Sequence, residues 1–314
     1  MKRTGLVLDL SFTEHDPGNY HPEAPGRIEA IHRQLKADRI VGKCLPLELR
    51  DVTDDEILLV HSESYLKTVK TEIDGKRSGT LSTGDTNFGP RSLAIAKQAA
   101  GSLLNAIDGV MTDQLDNAFC AVRPPGHHAT ASRGMGFCVF NNAAIAARYA
   151  RKKYGSERVA IIDWDVHHGN GTQDIFYEDG NVFYFSTHQH PWYPGTGKFD
   201  ETGQGKGRHT TMNAPLPAGS GMDEVGHAFR KRFAVKMKEY QPDLVIISAG
   251  FDSRDGDPLG DFTLTDPQFV ELTGILSGIA GEFAGGRLVS VLEGGYNREG
   301  LAKAVSEHVS ALLG

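Results

Sequence analysis

The stretch Ala160-Ile161-Ile162-Asp163-Trp164-Asp165-Val166-His167-His168-Gly169-Asn170-Gly171 constrains this chain more than any other. Apolar, β-favouring residues run straight into two carboxylates and two imidazoles, and then into glycines that free the backbone to turn. The local structure this dictates is a buried strand that delivers polar side chains at its exit. Side chains alternate along an extended chain, so Asp163, Asp165 and His167 leave on one side while Trp164, Val166 and His168 leave on the other. Three metal-capable groups on one side point either to a metal site or to a hydrogen-bonded Asp/His network.

The same grammar recurs along the chain. Ala118 to Val122 is a short apolar strand that exits into Arg123-Pro124-Pro125-Gly126-His127-His128. Val182 to Ser186 exits into Thr187-His188-Gln189-His190, Asp243 to Ser248 into Ala249-Gly250-Phe251-Asp252, and Arg287 to Leu292 into Glu293-Gly294-Gly295-Tyr296. Thr4 to Leu10 reads as a first strand and Thr210 to Leu216 as a further one. Helical spacing marks Pro25 to Lys36, Ser62 to Ile73, Arg91 to about Val110, Asn141 to Lys153, Met222 to Tyr240, Asp266 to Phe283 and Leu301 to Leu313. The segment between Gly75 and Gly89, which contains Asp85, reads as a polar loop bordering a site. Strands alternating with helices imply βαβ units and a mostly parallel sheet of about eight strands with helices on both faces. No linker composition interrupts residues 1–314, so a single α/β domain is expected. Ligands of such folds bind beyond the carboxyl ends of the strands, which gathers His127, His128, Asp163, Asp165, His167, Asp252 and Tyr296 at one rim.

Asp165, His167 and Asp252 offer two oxygens and one nitrogen to a divalent ion and leave a coordination position open, the pattern of a catalytic site. Two carboxylate ligands acidify bound water less than histidines would, so a nearby base is needed, and His127 and His128 are placed to supply one. Tyr296 could donate its phenol hydrogen to an oxyanion. Metal, imidazole acid/base and donor together describe amide or ester hydrolysis. Nucleophile-elbow, H-E-x-x-H, Walker and dinucleotide-binding patterns are absent from the sequence. His188 and His190 read as solvated or packed loop histidines, while His15 and His21, in the Pro- and Gly-punctuated loop from His15 to Glu23 with two acids beside them, read as solvated histidines rather than metal ligands.

A net charge of −7 argues against a non-specific nucleic-acid binder. Three cysteines, Cys44, Cys120 and Cys138, form no C-x-x-C pair and read as small buried hydrophobes in a reducing compartment. Asp9 breaks the apolar run Gly5-Leu6-Val7-Leu8 too soon for a signal segment, and no run reaches membrane-spanning length, so a cytoplasmic protein without a membrane partner is expected. Homo-oligomers are compatible with the sequence.

In the blocks Arg123 to His128, Asp163 to Gly171, Ser248 to Asp252 and Glu293 to Tyr296, taken in that order, the chain resembles the zinc-dependent histone deacetylase superfamily, which includes bacterial deacetylase-like and acetylpolyamine amidohydrolases. The resemblance runs from about residue 4 to the C-terminus. It implies an arginase-like α/β fold, one zinc per chain, and removal of acetyl or another short acyl group from an amine. By motif position, Asp165, His167 and Asp252 correspond to zinc ligands, His128 to the general base and acid, His127 to its electrostatic partner oriented by Asp163, and Tyr296 to the carbonyl-polarising tyrosine. Backbone oxygens around Asp163, Asp165, His167 and Ser186 correspond to a structural monovalent-cation site, usually potassium. Gly136, Phe137 and Tyr193 resemble the walls of an acyl-lysine channel, and Asp85 falls near a rim aspartate.

Asn170 stands where the main nuclear branch has aspartate, so the partner of His128 is neutral, as in the class II-like branch. Leu259 stands where polyamine-selective eukaryotic members place glutamate. An apolar gatekeeper offers a second ammonium no charge, which favours acetyl-lysine-type amides over acetylated small-molecule amines such as polyamines. Three other readings stay open: an acetylpolyamine amidohydrolase, an arginase-like manganese hydrolase, and a non-catalytic protein that binds acylated ligands.

Overall fold

A computed structural model describes residues 2–314. Its strands are β1 (Thr4–Leu8), β2 (Leu45–Pro46), β3 (Gly79–Thr80), β4 (Asn87–Phe88), β5 (Asn117–Ala121), β6 (Val159–Asp163), β7 (Val182–Gln189), β8 (Thr211–Leu216), β9 (Leu244–Ala249) and β10 (Leu288–Leu292). Its α-helices are α1 (Gly26–Ala37), α2 (Asp54–Ile57), α3 (Glu63–Glu72), α4 (Ser92–Met111), α5 (Asn142–Tyr154), α6 (Asn170–Phe176), α7 (Met222–His227), α8 (Ala234–Tyr240), α9 (Asp266–Phe283) and α10 (Arg298–Leu313). Eight strands form one sheet in the order β2-β1-β5-β10-β9-β6-β7-β8, and every pairing in it is parallel.

Parallel strands need crossovers, and the crossover helices cover both faces of the sheet. The central strands β5, β10, β9, β6 and β7 are therefore buried throughout, which is why Val-Ala-Ile-Ile-Asp and Leu-Val-Ile-Ile-Ser-Ala read as unbroken apolar runs. α4 packs with α5, and α10 packs with both α1 and α9. Local chemistry sets the helix ends. The Asn141 side chain accepts from Ala144 N and caps α5, whose far end closes on Gly155 at φ 69° behind Arg151, Lys152 and Lys153. Asn297 caps α10 in the same way by accepting from Gly300 N.

The register aligns the chemical ends of the central strands. Asp163 of β6 is level with Ser248 of β9, and Leu292 of β10 with Ala249 of β9, so β5, β10, β9 and β6 all discharge their loops at one edge.

Four local expectations need correction. The first strand stops at Leu8, because Asp9 accepts from Ser11 N and caps a 3-10 turn over Leu10–Glu14. The loop between Gly75 and Gly89 contains the two-stranded antiparallel ladder β3–β4. His15 is buried rather than solvated: its Nδ1 lies 2.7 Å from Ser92 Oγ and its Nε2 3.3 Å from Glu23. The helix between Met222 and Tyr240 contains a π-helical segment over Ala228–Phe233.

Candidate active site

β6 ends at Asp163, yet the alternation predicted beyond it persists, because each side chain secures backbone further on. Asp163 Oδ1 accepts from Asp165 N (3.2 Å), Asp165 Oδ1 from His167 N (2.9 Å), and Asp252 Oδ1 from Val166 N (2.8 Å). The imidazole Nδ1 of His167 lies 3.0 Å from Asp165 Oδ1 and 3.1 Å from Asp252 Oδ2. One ligand atom each from Asp165, His167 and Asp252 falls within 4.8 Å of the others. The backbone comes close enough for this only where side chains are missing: a Cβ on Gly294 would lie 2.1 Å from Asp252 Oδ2, and Gly294 N donates to Asp165 Oδ2 at 2.8 Å.

The donor set suits a divalent cation. Asp163, Asp165, Asp252 and Glu293 are fully buried at this strand edge. The nearby buried guanidiniums are committed elsewhere, Arg123 to Glu23 and Arg27 to Glu23 and the carbonyls of Glu293 and Gly295. Only imidazoles balance the four acids, and burying uncompensated carboxylates is costly. Burial pushes Asp252 up to about 7, with the charge of Asp165 adding to it, against the opposing pull of His167.

The tandem histidines are driven to opposite protonation states. Burial alone would lower His127, but the charges of Asp163 and Asp165 and its Nδ1 hydrogen bond to Asp163 Oδ2 (3.0 Å) outweigh it and hold the imidazole at about 10. The Tyr184 hydroxyl donates to the same Asp163 oxygen at 3.0 Å. Burial pushes His128 well below the ordinary imidazole range, and the charges of His127 and His167 push it further. Asn170 Nδ2 donates to the Met135 sulfur, which leaves Oδ1 to accept from His128 Nδ1 at 2.8 Å. That fixes the proton on Nδ1 and the lone pair on Nε2. Adjacent imidazoles, their ring centroids 4.0 Å apart, thus divide into a charged and a neutral member.

Above this floor rises a cavity of about 240 Å³. His128, His167 and Tyr296 line its base, while Gly136, Phe137 and Tyr193 form the walls. Asp85, Trp192 and Leu259 complete the mouth. Gly136 and Phe137 both adopt left-handed backbone, at φ 56° and 67°, and a Cβ on Gly136 would lie 2.2 Å from the His128 ring. Arg27 carries its guanidinium carbon 5.2 Å from the centroid of the Tyr296 ring, and Asp257 accepts from Tyr296 N at 2.6 Å.

Every residue singled out in the sequence for metal, acid/base or channel roles lies at this edge, save that Ser186 stands one strand away, its hydroxyl 2.9 Å from His188 Nδ1. His168 is buried, with Nδ1 2.7 Å from Thr196 Oγ1 and Nε2 3.0 Å from Gln173 Oε1. Sequence reasoning missed Glu293, whose carboxylate accepts from Gly126 N (2.6 Å), His127 N (3.1 Å) and Ser248 Oγ (3.0 Å), and also Trp192 and Tyr184. A glutamate closing an apolar strand was the signal available for Glu293. The three cysteines are free and buried. Among the described residues no helix is long and apolar enough to cross a membrane.

The histone deacetylase domain family matches residues 21–312. A chloroplastic histone deacetylase 10 of Oryza sativa is 40% identical over 309 residues, 94% of this chain and 70% of its own. A probable deacetylase of Archaeoglobus fulgidus is 38% identical over 299 residues, covering 95% of this chain and 82% of its own. The human polyamine deacetylase HDAC10 is 39% identical over 93% of this chain, which spans 44% of that longer protein. The crystal structure of an HDA15 HD domain superposes with a TM-score of 0.94 at 36% identity, covering 100% of this chain and 90% of that one. With the parallel eight-stranded sheet in common and the family match spanning nearly the whole sequence, the chain belongs to the histone deacetylase family of hydrolytic deacetylases.

Proposed function

We propose that the chain is a zinc-dependent amidohydrolase that removes acetyl or another short acyl group from N-acyl-lysine-type amides. The observation that carries this reading is the meeting, at the base of one narrow apolar cavity, of the Asp165/His167/Asp252 donor set with a neutral His128 and the ring of Tyr296. Bound at Asp165, His167 and Asp252, zinc would supply Lewis acidity for the amide carbonyl and for the attacking water. His128 Nε2, with its lone pair exposed to the cavity, takes the proton of that water and returns it to the leaving amine nitrogen. His127, kept protonated by Asp163, places a fixed positive charge where negative charge develops on the substrate oxygen. The Tyr296 phenol donates to that oxygen; burial and the charges of Asp252 and Asp165 push it well above the ordinary phenol range, so it remains a donor. Phe137 and Tyr193 hold the alkyl chain and keep water from the reacting atoms.

The buried acidic excess also supports a monovalent cation, potassium by family resemblance, at backbone oxygens of Asp163, Asp165, His167 and Ser186. Three free cysteines support a reducing compartment such as the cytoplasm. Leu259 at the mouth favours acyl-lysine over acetylpolyamine, while similarity to human HDAC10 favours the polyamine reading. Metal analysis with acetate release from acetyl-lysine peptides, acetylputrescine and acetylspermidine separates them. We expect zinc, preference for acetyl-lysine, and at least about a hundredfold loss of turnover in both Tyr296→Phe and His128→Ala. Undiminished turnover in the two variants would refute the site assignment.

A further inference from the structure

Trp192 and Tyr193 are neighbours, yet they reach across the mouth to different loops. Trp192 Nε1 donates to the Leu259 carbonyl at 2.8 Å, and the Tyr193 hydroxyl donates to Asp85, 3.1 Å from Oδ2 and 3.4 Å from Oδ1. Asp85 Oδ1 also accepts from Gly136 N at 2.7 Å, on the opposite wall. One carboxylate therefore holds both walls of the cavity. Through Gly136 it fixes the left-handed turn that aims Phe137, whose ring meets His21 edge-on at 4.6 Å between centroids. Through Tyr193 it fixes a ring that stands perpendicular to His128, their centroids 5.2 Å apart. A carboxylate acceptor makes this bond stronger than one between neutral groups.

We propose that Asp85 acts as a width-setting positioning residue, clamping Gly136–Phe137 to Tyr193 so that the channel favours an unbranched alkyl amine over one that places an aromatic ring next to the acylated aminomethyl group. The proposal rests on the deacetylase reading above and names the contact that sets how wide a chain the channel takes. Because the clamp sits above the reacting atoms, releasing it alters which chain fits and acts mainly through KM.

The test compares two acetamides, acetyl-lysine amide and N-acetyl-4-(aminomethyl)phenylalanine amide, on the metal-loaded protein. In Tyr193→Phe the preference in kcat/KM for the lysine compound should fall about tenfold, carried by KM, the scale of one charge-assisted hydrogen bond. Asp85→Ala should lower it at least as far, and adding Tyr193→Phe to Asp85→Ala should change nothing more. A preference unchanged within about twofold, or single effects that multiply in the double variant, would overturn the clamp. If the unaltered protein hydrolyses neither compound, the deacetylase reading fails on its own. The clamp is then decided by selective labelling of tyrosine Cζ with carbon-13: the Tyr193 resonance should move on Asp85→Ala, and a fixed resonance rejects the proposal.

Discussion

Asn170 gives His128 an acceptor without a charge, and that choice sets the pH range of the base. Its amide oxygen fixes the tautomer at 2.8 Å and does little to stabilise the imidazolium, so burial and the neighbouring charges of His127 and His167 keep His128 neutral to low pH. Asn170→Asp would put a carboxylate at the same distance, favour the protonated ring and raise its pKa. A base must be unprotonated to act, so the acid limb of the kcat/KM profile should move to higher pH, with slower turnover below neutrality and little change on the alkaline side. A limb that stays in place would mean that His128 is not the titrating base. Much of this site is legible in sequence because its side chains sit two apart at a strand exit or one beside another. Glu293 is not, because its work is to accept from Gly126 N and His127 N, 167 and 166 residues away. Its pKa, pushed up to about 7 by burial, arises only when four strand ends converge. The Tyr193–Asp85 bond is hidden for the same reason: two rim residues 108 positions apart leave no periodic trace.

Periodicity carries most of the fold, and its one quantitative failure is instructive. Val225, Phe229, Phe233 and Met237 recur every four residues, whereas an α-helix turns in 3.6, so a strict repeat of four drifts around the helix by about 40° per step. The wider π-helical turn over Ala228–Phe233 absorbs that drift and keeps all four residues buried. Phe233 there stacks on Phe185 of β7, centroids 4.6 Å apart with planes 9° from parallel. Phe233→Ala would empty a fully buried aromatic site beneath the sheet and should cost about 3–5 kcal/mol, read as a lower denaturant midpoint at unchanged slope. A loss below about 1 kcal/mol would mean that the helix slides to refill the space. The two-residue strand β2 and the β3–β4 ladder are too short to leave a pattern, so the sequence shows loop where tertiary contacts impose strand.

At the scale of the molecule, the sheet spends stability to gather acids. The chain carries a net charge of −7, and Asp163, Asp165, Asp252 and Glu293 are buried at one strand edge with imidazoles as their only close positive partners. In the metal-free chain Asp252 and Glu293 are pushed up to about 7 by burial, from ordinary values of 3.8 and 4.5. At these two groups the folded state binds more protons than the unfolded one, so their contribution to stability falls as pH rises between about 4 and 7. His127 and His167, held at about 10 against an ordinary 6.5, give stability that is complete below 6.5 and is lost as pH climbs toward 10. The slopes of these four groups share a sign, whereas His61, His128, His188 and His308, which burial holds below the ordinary imidazole range, slope the other way. A divalent cation held by Asp165, His167 and Asp252 takes the place of those protons and needs its ligands deprotonated, so it binds more tightly as pH rises. Chelation should therefore lower the Tm at every pH from 5 to 8, and the gap between loaded and chelated protein should widen across that range. Scanning calorimetry on both forms measures that gap directly. A constant or narrowing gap would mean that the cation displaces no proton from these residues, and would overturn this placement.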